Sequence, residues 1–461
     1  MRHLFLLAAL AGSLHGRAQA FPKDTVLFSG PGANRVQLVY LGDGYTAAEL
    51  PLYLANVQTI NDAFFNTSPF KEYKAYFNAY AVRVPSGASG ARHAGGLADC
   101  GGQPAAAPLN YFGSRFDVGG IHRLVVPDSG AKVQSVLAAN YPSYNQVVLL
   151  VNSAFYGGSG GAWATATTNA ASAEIAIHEI GHSFAGLADE YWAGAVYAGE
   201  RPNMTAVSDP ATVKWNSWVG TSSVGVYPYV GGPSWYRPVQ GSACKMEVLN
   251  VPFCPVCRET IVERIHGLVR PYDSYAPANA VPLPLSGGQG FSLALVRPDP
   301  NSLKVSWTLD GSPVAQNTDT LTLQAGALGA GTHTLLATIT DTTALTRSAT
   351  HVAAHAYSIA WHLSATTGIG APELAELRVL AYPNPFSDEL RVNYELKKRS
   401  DVRLELLNLA GVPVRQQSFR GQAPGRYLTV FRSGVPALPA GTYLLVVTVN
   451  GNRMAEEKIK L

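Results

Sequence analysis

The most specific chemistry in the chain lies in Ala171–Trp192, which reads ASAEIAIHEIGHSFAGLADEYW. His178 and His182 stand four residues apart, with Glu179 beside the first. On a helix that spacing puts two imidazoles on one face, where both reach a single metal ion, and places the carboxylate to act on a metal-bound water. A catalytic zinc usually takes three protein ligands and leaves a position for water. The expected set is therefore His178, His182 and one further residue as metal ligands, Glu179 as the catalytic base, and Zn2+ as the cofactor. Asp189 is the first choice for the third ligand; Glu190 and a distant residue stay open.

These residues need a helix to position them. Ala173, Ala176, Ile180, Phe184 and Leu187 recur at spacings of three and four, and Asn169 or Ser172 is available to cap the start. A surface helix that happens to carry two histidines is the plain alternative. Ile175 and Ile177 speak against it, because they add apolar side chains outside the main stripe and put the helix inside its domain. Buried imidazoles need partners, and a metal supplies one. Gly186 is the natural end of the helix, since glycine accepts the left-handed conformation that reverses the chain and brings Asp189 back toward the metal. Metzincin-like enzymes use such a reversal. Their pattern sets Gly and the third ligand where Ala185 and Ala188 stand here, so both features arrive one residue late.

His178-Glu179-Ile180-Gly181-His182 and Leu187-Ala188-Asp189-Glu190-Tyr191 together resemble the IgA metallopeptidase family, named for a secreted bacterial enzyme that cleaves immunoglobulin A. Leu41-Gly42-Asp43-Gly44-Tyr45-Thr46, and Cys244-Lys245-Met246 followed by Phe253-Cys254-Pro255-Val256-Cys257-Arg258, are similar to that family too. The resemblance spans residues 21 to about 270 and implies a zinc endopeptidase acting by a zinc-activated water. It implies a protein or peptide substrate, with host glycoproteins and immunoglobulin as candidate classes it does not choose between.

The remaining motifs each have two readings. Met246 is either an apolar floor beneath the metal or an ordinary core methionine. The strand Val36–Tyr40 runs into a turn with a helix near Ala47, and Asp43 there either caps that helix or approaches the cleft. Tyr191 and Tyr236 are candidates to steady a tetrahedral intermediate, though aromatic packing accounts for both and neither is chosen. Cys100, Cys244, Cys254 and Cys257, in an exported chain, suggest two disulfides of undetermined connectivity; a structural zinc on Cys244, Cys254 and Cys257 is the lesser idea.

Residues 1–20 have a basic start, an apolar run from Leu4 to Leu10 and Ala18-Gln19-Ala20, which read as a secretory signal peptide cleaved after Ala20. Residues 21–270 form the expected α/β (α+β) metzincin-like zinc peptidase domain. Two β-sandwich modules follow. The first, 271–370, is Ig-like, with strands at Ser302–Trp307, Thr320–Leu323 and Thr332–Thr340 and a hairpin turn at Asp310-Gly311. The second, 377–461, has alternating strands and, through Tyr382-Pro383-Asn384-Pro385-Phe386, Leu438–Tyr443 and Lys458-Ile459-Lys460, resembles the C-terminal sorting domain of the type IX secretion system. That implies the type IX machinery as a partner and a secreted or outer-membrane surface location. Thr366–Pro372 reads as a linker.

Composition agrees with an exported, turn-rich protein. Of 461 residues 14% are charged, too few for a disordered polyelectrolyte, while Gly 45 and Pro 30 favour turns. The signal segment takes two of the 34 basic residues and none of the 31 acidic ones, which leaves a near-neutral chain with no surplus to neutralise a phosphate backbone. Nucleic acid is excluded as a partner on that ground, and no later run is long and apolar enough for a transmembrane segment. The rival to a peptidase is a non-catalytic surface binding protein with a structural metal site. An intact Glu179 argues against it, because a structural site has no use for a base beside its ligands.

Overall fold

Val36–Asp43 (VQLVYLGD, β2) and Gln146–Val151 (QVVLLV, β4) are apolar with little alternation, the mark of strands covered on both faces. In the computed structural model both are buried at every position. The structure describes residues 19–461 apart from 98–99, 101, 230–233, 286, 325, 327, 330, 366–378 and 435–436. The expected signal segment up to residue 18 and the expected linker Thr366–Pro372 lie outside the described residues.

The two strands form the middle of a six-stranded sheet, completed by β1 (Lys23–Leu27), β3 (Phe77–Val82), β5 (Gly158–Ser159) and β6 (Ala164–Thr167) in the order β1-β3-β2-β4-β6-β5. β3, β2, β4 and β6 run parallel, and the two edges, β1 and β5, run antiparallel to their neighbours. The period-two alternation of a strand sorts the core into two halves. Val36, Leu38, Tyr40, Val148 and Leu150 face α1 (Leu50–Phe64), α3 (Ser172–Ala185) and α4 (Pro255–His266), whereas Val39, Leu41, Val147 and Leu149 face α2 (Gly130–Asn140). Helices on both faces of a mostly parallel sheet make an α/β layer structure.

Between β3 and α2, the described residues of 83–129 contain no helix and only isolated bridges. So long an irregular stretch needs side-chain anchors. Asp43, at the end of β2 and fully buried, is one: its carboxylate accepts the backbone N–H groups of Phe112 (3.0 Å) and Ser114 (2.9 Å) as well as that of Gly44. Asp43 thus does not cap the following helix. Thr46 and Glu49 do that through a reciprocal capping box.

The chain divides into two compact units. The first takes the described chain up to Asn279 together with Gly290–Leu321 and Thr334–Trp361. Within it, antiparallel strands Leu303–Leu309 and Ser312–Gln316 meet at the Asp310-Gly311 turn, both residues having positive φ, and the first also pairs with Gly331–Asp341. Asp341 accepts hydrogen bonds from Tyr73 (2.6 Å) and His266 Nε2 (2.9 Å), and Glu263 on α4 bonds to His351 and His355. The second unit carries Val379–Tyr382, Glu389–Leu396 and Gly425–Arg432 in one sheet and Ser400–Leu407, Pro413–Gln422, Gly441–Val449 and Asn452–Lys460 in another. Leu390, Val392 and Tyr394 of the first sheet share a core with Leu404, Leu406, Leu445 and Val447 of the second, as in a sandwich. No helix among the described residues is long and apolar enough to cross a membrane.

Candidate active site

α3 follows from its sequence: an apolar face of Ile175, Ala176, Ile180 and Phe184 packs on the sheet, and Gly186 ends the helix at φ +66° with its N–H and that of Leu187 returned to His182 O and Gly181 O. The start differs from the expected cap. Asn169 Oδ1 accepts the N–H of Ala171 (3.0 Å), and Ser172 is the first helical residue, so neither side chain bonds to the first turn proper.

One turn apart on this helix, His178 and His182 direct Nδ1 at backbone carbonyls, Lys245 O at 2.8 Å and Leu187 O at 2.7 Å. A ring whose Nδ1–H is donated presents a lone pair at Nε2. The two Nε2 atoms lie 3.1 Å apart, and Asp189 Oδ1 lies 3.1 Å from the first and 3.3 Å from the second. With both ring protons spent on carbonyls, three acceptor atoms converge and Asp189 Oδ1 is a buried oxygen without a donor. A cation resolves this. The separations approach the edge of a tetrahedron built on Zn–N and Zn–O distances of 2.0–2.1 Å, about 3.3 Å. The residues present therefore fit a metal of the zinc type.

Glu179 stands outside the triad, its Oε2 4.0 Å from His182 Nε2. Burial raises its pKa above the ordinary carboxylate value. Burial also pulls His182 down, but the adjacent Asp189 carboxylate prevails and holds it up at about 9, so protons compete with a metal for this site. All four side chains line an open cleft of about 1280 Å³ together with Tyr156 and Tyr191. The backbone of β5 and Gly160 runs along its wall: a Cβ on Gly160 would come within 2.8 Å of His182 Cβ and 3.0 Å of Glu179 Oε2.

The structure separates the two acids offered as third ligand. Asp189 turns into the cleft, while Glu190 turns away and buries its carboxylate beside Cys257 Sγ at 3.3 Å. Met246 is fully buried beneath α3, its Sδ 2.7 Å from where a Cβ on Gly181 would stand, so the glycine between the histidines admits it. Tyr191 lines the cleft; Tyr236 does not, and instead pairs Pro228 in a short ladder. The expected two disulfides are absent: all four cysteines are free thiols. Three of them gather at Glu190, and Cys100 sits with His93, Asp117 and His122, its Sγ 3.3 Å from His93 Nε2, so no two pairs are available to bridge.

Residues 25–232 match the family model described as IgA Peptidase M64, and residues 380–460 match that of a secretion system C-terminal sorting domain. The chain carries an M64 peptidase region and a sorting domain. No protein of curated function matches it. Among solved structures, the fibronectin(III)-like modules of Clostridium thermocellum CbhA align at 10% identity over 40% of this chain and 90% of theirs, with a TM-score of 0.17. The Bacteroides ovatus mixed-linkage glucan protein SGBP-B aligns at 14% identity over 41% of this chain and 47% of its own, also at 0.17. Scores this low carry no inference.

Over residues 25–232 the family implies a protein substrate and a metal cofactor, and over 380–460 the sorting domain implies type IX secretion with attachment to the cell surface. The peptidase's motif helix was readable from His178, Glu179 and His182. What sequence reasoning did not find is the pair of backbone carbonyls, Lys245 and Leu187, that fix the imidazoles, and the Gly160 wall. A carbonyl comes with any residue type and leaves no compositional trace; Gly158, Gly160 and Gly161 in the run GGSGG were the available signal for a close backbone approach.

Proposed function

We propose that the peptidase is a zinc-dependent endopeptidase in which His178, His182 and Asp189 hold the ion and Glu179 is the general base. The observation that carries this reading is the convergence of His178 Nε2, His182 Nε2 and Asp189 Oδ1 within 3.3 Å of one another beside an ionisable Glu179 on an open cleft. The two nitrogens and one carboxylate suit zinc, which three protein ligands would hold with room for a water. Zinc held there would supply Lewis-acid chemistry, polarising the scissile carbonyl and lowering the pKa of a water to about 7. Glu179 accepts the proton of the attacking water at a carboxylate oxygen and delivers it to the leaving amine, a transfer that contributes about 10²- to 10⁴-fold in rate. Lys245 O and Leu187 O keep the imidazoles in the ligating tautomer throughout.

The reversal at Gly186, Asp189 beyond it and Met246 beneath the helix support a metzincin-like arrangement of the 21–270 domain. Residues 1–20 serve as the export signal, and 271–370 as an Ig-like module between catalytic and sorting domains. The substrate is a protein, with surface or host glycoproteins in reach of a surface-attached enzyme. Replacing Glu179 with Gln leaves zinc bound and lowers peptide cleavage at least ~100-fold; cleavage is measured on a mixed peptide library with zinc content followed in parallel. A Glu179→Gln protein with full turnover overturns the mechanism.

A further inference from the structure

The motif Cys244-Lys245-Met246 … Phe253-Cys254-Pro255-Val256-Cys257 is not used by the chemistry above, yet its three sulfurs are brought together. Cys244, Cys254, Cys257 and Glu190 are all at most 2% exposed, and their donor atoms lie within 4.8 Å of one another. Cys244 Sγ is 3.7 Å from Cys257 Sγ, Cys257 Sγ is 3.3 Å from Glu190 Oε1, and Cys254 Sγ is 3.9 Å from the same oxygen. A disulfide needs about 2.05 Å between sulfurs. The edge of a tetrahedron on Zn–S bonds of 2.3 Å is about 3.8 Å, and a mixed sulfur–oxygen edge is about 3.5 Å.

Two further features fit a cation. Glu190 Oε1 accepts hydrogen bonds from Asn203 (2.9 Å) and the Cys257 thiol (3.3 Å), but Glu190 Oε2 is buried without a donor, and a buried carboxylate oxygen left unsatisfied is unfavourable. Cys244 Sγ already accepts the N–H groups of Met246 (3.5 Å) and Cys254 (3.4 Å), the backbone dipoles that a thiolate ligand requires. Basic side chains nearby are committed elsewhere: Arg237 bonds to the backbone carbonyl of Glu190 (2.5 Å) and pairs with Glu247, and Lys245 pairs with Glu174. Arg237 supplies neighbouring positive charge without occupying the space between the donors.

We propose that Cys244, Cys254, Cys257 and Glu190 form a second, structural zinc site, closed by four protein ligands and separate from the catalytic one. Its place gives it a purpose. Glu190 directly follows Asp189, and its N–H bonds to Met246 O (2.7 Å), so a metal on Glu190 fastens both the third catalytic ligand and the methionine floor from behind. Binding displaces protons from the three thiols and leaves every sulfur reduced.

The test uses the mature chain with His178 and His182 both replaced by Ala, which removes the catalytic site and so separates this proposal from the peptidase reading. Loaded with cobalt(II), this variant shows thiolate-to-cobalt charge-transfer absorption saturating at one equivalent. Replacing Cys100 with Ser leaves that absorption unchanged, while the pair Cys254→Ser and Cys257→Ser abolishes it and lowers zinc content by one per chain. Should that pair fail to fold, Glu190→Gln with cobalt shifts the absorption and weakens metal retention. Absence of thiolate-to-cobalt absorption in the first variant, or an intact mass two hydrogens short that marks a disulfide among these cysteines, overturns the site.

Discussion

At the residue scale, the cleft is built by contacts that tolerate no added atom. A Cβ at Gly160 meets His182 and Glu179, the residues proposed to bind the metal and to take the proton, and Nδ1 of His182 is held in place by Leu187 O. Gly160→Ala is expected to lower kcat/KM by at least ~10-fold, about 1.4 kcal/mol, with zinc content unchanged; steady-state kinetics beside metal analysis checks it, and unchanged kinetics would show that the wall gives way. Much of this scale was legible in the sequence: His178, Glu179 and His182 declare themselves by type and spacing. Asp189 was the first choice there with Glu190 left open, because neighbouring residues of one chemistry point to opposite sides of the chain and only the fold says which side is the cleft. The cysteines misled for a related reason: export argues for disulfides, while three sulfurs in one pocket with Cys100 elsewhere leave no two pairs to bridge.

At the scale of elements, β2 and β4 were recognisable as apolar runs, and the paired strands around Asp310-Gly311 by alternation and turn chemistry. Residues 83–129 were not, since their order rests on single anchors such as Asp43 rather than on any period. Helix α4 offers a titratable contact within its unit. Burial alone moves Glu263 up and His351 down, but the hydrogen bond between them (2.5 Å) outweighs it, holding Glu263 below 4.5 and His351 above 6.5. The acid's contribution is present above pH 4.5 and lost as pH falls through its folded value; the imidazole's is present below 6.5 and lost as pH rises through its folded value. Both operate between those limits. Glu263→Gln should therefore lower Tm by ~2–4 °C, about 1 kcal/mol, near pH 5.5 and by less at pH 8.5. Thermal melts of both proteins at the two pH values decide it; a gap that widens at pH 8.5 contradicts the assignment.

At the scale of the whole molecule, the peptidase region and the sorting domain divide the work. Deleting residues 380–460 is expected to remove the enzyme from the cell surface while the chain retained behind the outer membrane keeps its peptide cleavage; Glu179→Gln does the reverse, reaching the surface without activity. Cell fractionation with a cleavage assay on each fraction distinguishes the two, and surface display of the deleted chain would refute the assignment. The hydrogen bond from His178 to Lys245 O spans 67 residues of sequence. The motif helix therefore emerges from the ribosome long before the carbonyl that orients its first histidine, and such long-range closures come late in folding. A nascent or unfolded chain thus carries the full motif without the contact that fixes its first imidazole.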